Sequence, residues 1–405
     1  MKKIKISFLL GAGVSLYANS PSTDQLTESL LKDKNIIQHS SQSFYYSTID
    51  DPSKQLITLI QIFLKYLKVQ IRKYYKWLDK TNLNNIRMLN YESIYYFVWQ
   101  LWSCSNGEYD NPAVFKFYKE VRNRFISELN KLDGDFFNNK DFTDFLEKVL
   151  RYIEDIISKK LGIKLKENCN YLRAIQEAHE DNRIEKIEIF SLNHDTLIEQ
   201  CFDVKKIGYC NGFIKNDLDI RVWDPRSFNN DDFRINLYKL HGSINWFQFH
   251  REDKGEWFVS NVPIYIKDID HIKDSNNSQL YRINRHLILI GTFNKMFEYL
   301  TDIFIELHYK FFKILLESDC LVISGYSFND KGVNFNIRRF AKSSFNKKII
   351  IINPDPEELR RNARGMIDNN WDGWILAKQM EIIREKFEET QLNTIMDNFN
   401  FLRTP

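Results

Sequence analysis

The sequence predicts an α/β fold: a parallel sheet with helices on both faces, plus a helical insertion. Two observations carry this. Short runs rich in Ile, Leu and Val occur at Ile4–Leu10, Ile187–Phe190, His286–Ile290, Leu321–Ile323 and Ile349–Ile352. None is long enough for a helix, and most lack apolar–polar alternation, which is how strands buried on both faces read. Between the first two runs, from about Pro52 to Leu161, the pattern changes to apolar residues every three or four positions, the spacing of amphipathic helices. Together they describe a Rossmann-like sheet with a bundle of helices inserted after its first strand.

Taken in order, the chain begins with Met1-Lys2-Lys3 and an apolar run that imitates a short signal peptide. Lys5 interrupts the run and Gly11 ends it, so a strand entering a glycine loop explains it better. Ser22-Thr23-Asp24-Gln25 has the spacing of a capping box and predicts a helix start. Leu64, Leu67, Ile71, Tyr74 and Leu78 form one helical stripe, beside Lys65, Lys68, Arg72 and Lys76, which read first as a solvated face, with an oligomer contact or a nucleic-acid or nucleotide contact as the alternatives. Phe117, Val121, Phe125 and Leu129 form a second stripe, and Phe145, Val149 and Ile153 a third. Ser105-Asn106-Gly107 and Asp110-Asn111-Pro112 mark a loop between helices. After Pro356 the pattern again reads helical. The expected division is a sheet domain of residues 1–40 and 170–360, a helical insertion of 41–169, and a C-terminal helical tail of 361–405.

Composition narrows the function classes. With 405 residues and 43% hydrophobic content, the chain can bury a large core. A formal net charge of +3 gives no electrostatic reason to expect nucleic acid or a membrane surface. The five cysteines, Cys104, Cys169, Cys201, Cys210 and Cys320, contain no Cys-x-x-Cys pair. That predicts no disulfide framework, a cytoplasmic setting, and no zinc site or other metal. No window approaches the ~18 apolar residues of a membrane span.

Five places carry polar or small residues directly after a predicted strand. Gly11-Ala12-Gly13-Val14-Ser15 allows close backbone approach to a phosphate, and also fits an ordinary strand-to-helix turn. Asn193 and Asp195, after Ile187–Phe190, stand where open α/β sheets place ligands; they also fit a helix cap. His241, in Leu240-His241-Gly242-Ser243 after the short run Leu237–Leu240, has a side chain suited to general-base work near neutral pH, though a structural role fits it as well. Ser324-Gly325-Tyr326-Ser327 and Asn353-Pro354-Asp355 suit phosphate or ribose contacts, and equally suit turns.

In this order the five places resemble the sirtuin superfamily, whose members have a Gly-Ala-Gly-x-Ser loop, an Asn-x-Asp strand end, a Leu-His-Gly catalytic histidine, a Gly-x-Ser strand end and an Ile-Asn strand end. Tyr238-Lys239-Leu240-His241-Gly242-Ser243-Ile244-Asn245-Trp246 resembles the bacterial sirtuin-like branch associated with anti-phage defence, as does Leu89-Asn90-Tyr91-Glu92-Ser93-Ile94. The resemblance covers roughly residues 1–40 and 170–360. It implies that Gly11, Ala12, Gly13 and Ser15 bind the NAD diphosphate. It implies that Asn193 and Asp195 sit at the nicotinamide ribose and carboxamide, and that His241 is the general base. Gly325, Ser327, Asn353 and Asp355 would line the adenosine side.

The departures favour water as the acceptor. The two Cys-x-x-Cys pairs of family deacylases are missing, Leu192 replaces the Gln before the Asn, and the Ile-Pro-Asp-Phe-Arg stretch after the glycine loop is absent. The expected activity is hydrolysis of NAD to nicotinamide and ADP-ribose, as an NAD-depleting effector in defence. The alternatives are a subunit that binds NAD or ADP-ribose without cleaving it, and an NAD-dependent deacylase or ADP-ribosyltransferase. The resemblance also implies restraint, through a homo-oligomer or through a partner ATPase or nucleic-acid-sensing protein.

Overall fold

The computed structural model describes residues 3–39, 43–80, 89–132, 141–166, 169–215, 220–252, 255–263, 266, 269–273, 278–283 and 286–403. Seven strands form the main sheet: β1 (Ile4–Leu10), β2 (Ile184–Ser191), β3 (Tyr209–Cys210), β4 (Ile235–Lys239), β5 (Cys320–Ser324), β6 (Lys348–Ile352) and β7 (Met380–Ile383). Their order is β7-β6-β5-β1-β2-β4-β3, and every pairing is parallel.

The lack of alternation in the strand sequences has its cause in this arrangement. Successive residues of a strand point to opposite faces, and here both faces are covered. Ile6, Phe8, Ile187, Ile189, Leu237, Val322 and Ile350 pack on one face with the helices Arg173–Glu180, Leu197–Lys205 and Leu392–Arg403. Leu9, Phe190, Tyr238, Leu321, Ile323, Ile349 and Ile351 pack on the other with Asp302–Glu317, Lys331–Ser343 and Gly365–Leu376.

The chain divides into two units. The first, which holds the sheet, comprises Met1–Ser20, Leu161–Leu289 and Met296–Pro405; the second comprises Pro21–Lys160 and Ile290–Lys295. In the second unit the capping box at Ser22 and Gln25 is formed and opens the helix Thr23–Lys32. The helices Ser53–Lys80, Tyr91–Ser105, Pro112–Asn130 and Phe142–Leu161 follow. Leu64, Leu67, Ile71, Val121, Phe125, Leu129, Phe145, Val149 and Ile153 are buried, and Phe63 meets Phe125, Phe142 and Phe145 edge-on. Tyr74 is exposed, the expected basic stripe faces largely outward, and the side chain of Leu78 lies outside the described residues.

Two expectations are corrected. His286–Ile290 is not a strand of the main sheet: Ile288 makes one isolated antiparallel bridge with Gly242, and Leu287 and Leu289 are buried beside the His241 turn. That burial accounts for its apolar character without a ladder. The tail is also not purely helical, because β7 forms the sheet edge beside β6. A four-residue run between helical segments is too short for periodicity to reveal. A five-stranded antiparallel sheet built from Phe213–Lys215, Arg221–Trp223, Trp246–Arg251, Glu256–Asn261 and Tyr281–Arg282 is an addition that the sequence reading did not contain. Among the described residues, no helix is long and apolar enough to cross a membrane.

Candidate active site

The strand register aligns the carboxyl ends of five strands in one row: Lys239 pairs with Ser191, Ser191 with Leu10, Leu10 with Ser324, and Ser324 with Ile352. All five candidate segments start within three residues of this row. After β1 the chain moves to β2 on one side, and it later returns to β5 on the other. The β1–β5 junction is therefore the topological switch point, where open α/β sheets form their ligand crevice.

At that junction the two glycine segments touch backbone to backbone. Gly11 N–H donates to Ser324 O (2.9 Å) and Gly13 N–H to Gly325 O (3.1 Å). Gly325 has φ +65°, and a Cβ on it would lie 2.5 Å from Val14 N; a Cβ on Gly13 would lie 2.8 Å from Gly325 Cα. The glycines are thus required for close approach between the two loops, and these two amides are engaged there and not open to an anion. Ala12 and Gly13 are exposed, while Gly11 and Ser15 are buried. Ala12–Ser15 makes only one helical turn, so no long helix begins at the loop.

Asn193 joins β2 to this loop. Its Nδ2 donates to Gly11 O (3.1 Å) and Ser15 Oγ (2.9 Å). Its backbone N–H donates to Ser191 Oγ (3.2 Å). Asn193 is 5% exposed, and its Oδ1 is buried with no hydrogen-bond partner among the described residues. A buried acceptor left in this state costs roughly 1–3 kcal/mol, so it calls for a donor from a water or ligand.

Asp195 lies two residues on, with Oδ1 accepting from Leu197 N–H (3.1 Å) at the start of the helix Leu197–Lys205. Lys239 Nζ, at the end of β4, donates to the Asp195 carbonyl and pairs with Glu199 (3.2 Å). Burial pushes the Glu199 carboxyl up from its ordinary value, partly opposed by Lys239.

His241 follows β4 and is buried, at 4% exposure. Gly242, at φ +76°, turns the chain sharply after it; any Cβ there would run into the Leu287 carbonyl. The loop is tied to the Asn193 segment through His194, whose carbonyl accepts from Ile244 N–H (3.0 Å) and Ser243 Oγ (3.3 Å). The rings of His194 and His241 are 6.2 Å apart. His241 Nε2 faces Asp330 Oδ2 at 3.1 Å and Tyr299 Oη at 3.4 Å, and Tyr299 Oη also donates to Asp330 Oδ2. Tyr299 stacks on His308 with centroids 3.6 Å apart. Burial pushes His308 down to about 3, with the neighbouring His241 as the next cause, and its Nε2–H bonds the Leu240 carbonyl at 3.1 Å.

The remaining candidates lie on the other flank of the switch point. Ser327 is exposed, and its Oγ accepts from Asn329 Nδ2 (3.1 Å). Asn353 Oδ1 accepts from Asp355 N–H (2.8 Å), and Asp355 Oδ1 from Glu358 N–H (2.9 Å), capping the helix Pro356–Asn362. Turn and cap chemistry therefore accounts for the polar contacts seen at these two residues.

Asp330, Tyr299, His308 and Lys239 are the site-region residues that sequence reasoning did not select. Asp330 had a local signal, but only as a helix cap before Lys331. Tyr299 and His308 had none, since they reach the site from a separate segment. Among the described residues, no group of three or more His, Cys, Asp or Glu side chains is arranged to hold a metal.

Similar solved structures include a Sir2 homologue in complex with NAD and Sir2 bound to an acetylated peptide. The first has 12% identity and a TM-score of 0.36, over 99% of this chain and 91% of that one. The second has 10% identity and a TM-score of 0.37, over 98% and 94%. No curated protein matches the chain. Residues 187–374, the stretch that carries Asn193, Asp195, His241, Asp330 and Gly325, match the family model of the SIR2-like domain.

Proposed function

We propose that the protein hydrolyses NAD, cleaving the nicotinamide N-glycosidic bond to release nicotinamide and ADP-ribose. The observation that carries this reading is the buried, unpartnered Asn193 Oδ1 on the same sheet edge as His241. In the proposed step, Asn193 holds a water through one O–H. The water oxygen bonds to C1′ of the nicotinamide ribose while the C1′–N bond breaks. The bonding pair neutralises the pyridinium nitrogen, and the proton from water passes to His241. Asp195 contributes its carboxylate on the nicotinamide side. The loop of Gly11, Ala12, Gly13 and Ser15 lines the diphosphate through groups other than the engaged Gly11 and Gly13 amides, and Gly325, Ser327, Asn353 and Asp355 line the adenosine.

We place this activity in the cytoplasm, as an NAD-depleting effector of bacterial anti-phage defence. It is held in check by homo-oligomer assembly, or by a partner ATPase or nucleic-acid-sensing protein. The support is the Tyr238–Trp246 motif and the absence of paired cysteines. The chemistry is tested by incubating purified protein with NAD and following nicotinamide by chromatography. Asn193→Ala and His241→Ala are each expected to lower its release at least about 100-fold while leaving the fold intact, as read by a cooperative thermal melt. Unchanged turnover in either folded variant overturns the assignment. Turnover that requires an added acyl-peptide would instead identify a deacylase, and NAD binding without nicotinamide release a binding subunit.

A further inference from the structure

Asp330 is placed to do two things with its two oxygens. Oδ1 accepts from Gly332 N–H (2.9 Å) and Val333 N–H (3.1 Å), closing the start of the helix Lys331–Ser343. Oδ2 accepts from Tyr299 Oη and faces His241 Nε2 at 3.1 Å. Both side chains of this last pair are at least nine-tenths buried. The carboxylate is anchored to a helix terminus, so it cannot turn away from the imidazole without giving up its cap. With Asp330 ionised, its oxygens are acceptors only; the proton between the pair then sits on His241 Nε2 and the imidazole lone pair on Nδ1.

We infer that Asp330 is the positioning carboxylate of His241: it selects the Nε2–H tautomer and raises the basicity of the ring. Tyr299 moderates it by sharing the same oxygen. The inference rests on the reading of His241 as the general base. Among the described residues, the titratable groups seen to face His241 are Asp330, Tyr299, His308 and His194; the nearby Lys239 is paired with Glu199. His308 stays neutral across the working range, since burial pushes it down to about 3. Among the described residues, Asp330 is thus the carboxylate in hydrogen-bond contact with the ring.

The test reads His241 directly and does not depend on turnover. Its ring signals are assigned in ¹⁵N NMR spectra by their loss in His241→Ala, then titrated in wild type, Asp330→Asn and Tyr299→Phe. Asn keeps a carbonyl for the helix cap, so Asp330→Asn removes the charge while sparing the element. Asp330→Asn should lower the His241 pKa by about one unit, the size expected for losing a contacting opposite charge. Tyr299→Phe frees Asp330 Oδ2 of a competing donor and should move the pKa upward. In wild type, Nδ1 should show the chemical shift of an unprotonated ring nitrogen. The acid limb of the NAD-hydrolysis profile should follow the same two directions. In Asp330→Asn, kcat should fall roughly tenfold with KM within about twofold, the pattern of a lost transition-state contribution. A His241 titration unchanged in folded Asp330→Asn, or in Tyr299→Phe should the first variant not fold, overturns the assignment. If the NMR shifts appear but wild type releases no nicotinamide, the pairing stands and the hydrolase reading fails.

Discussion

At the residue scale, the decisive positions are those where a side chain is excluded or left unsatisfied. Gly325 combines a left-handed φ with a backbone neighbour where a Cβ would stand. Gly325→Ala should therefore cost about 2 kcal/mol or more, from left-handed strain and overpacking combined. It should also part the two loops at the switch point. Denaturant unfolding measures the first effect and NAD turnover the second; a variant as stable and active as wild type would show that the loops need no such contact. Asn193 is the converse case, with one end of its amide bonded to Gly11 and Ser15 and the other end unpartnered. The sequence showed an Asn after a strand and left cap and ligand roles equally open. The unpartnered acceptor is what supports the proposed ligand role.

At the element scale, the parallel strands set which polar groups meet. Glu188 on β2 is in register with Asn236 on β4, whose Nδ2 donates to it at 3.1 Å. Burial raises the Glu188 carboxyl to about 7, partly opposed by that hydrogen bond. The folded state then holds a proton that the unfolded chain releases near pH 4.5. Stability should accordingly fall as pH rises from about 4.5 to 7, by up to about 3 kcal/mol, and level off above. Glu188→Gln removes the titration and can still accept from Asn236. It should raise the melting temperature at pH 8 and leave it unchanged near pH 4. An equal effect at both pH values would mean that Glu188 is ionised in the folded protein. The strands themselves were legible because burial on both faces writes continuous apolar runs. His286–Ile290 was misread because an extended segment buried against a turn writes the same run.

At the scale of the whole molecule, the unit holding the sheet is assembled from three separate stretches of chain. Its core therefore couples strand ends that are far apart in sequence, and a ligand bridging the carboxyl edges should stabilise them together. Adding NAD to the His241→Ala variant, which should not consume it, is expected to stabilise that unit. At about one hundred times the dissociation constant the gain is ~2.7 kcal/mol, visible as a raised melting temperature. An unchanged melt at millimolar NAD would argue against an NAD site on this edge.

For the strands β1, β2, β4, β5 and β6, the sequence by itself determined about where each ends and which residues follow it. Apolar runs and turn residues are local features, so Gly11, Asn193, His241, Gly325 and Asn353 could each be picked out beside its strand. Their assembly was a different matter. Strand order and register are fixed by packing between distant segments, and it is these that put Leu10, Ser191, Lys239, Ser324 and Ile352 in one row. The partners of His241 were decided in the same way. Asp330 stands 89 residues and Tyr299 58 residues further along the chain, and no local pattern joins them to it. A hydrogen bond between side chains depends on where the backbone carries each one, and that is settled only when the sheet and its covering helices close on a common core.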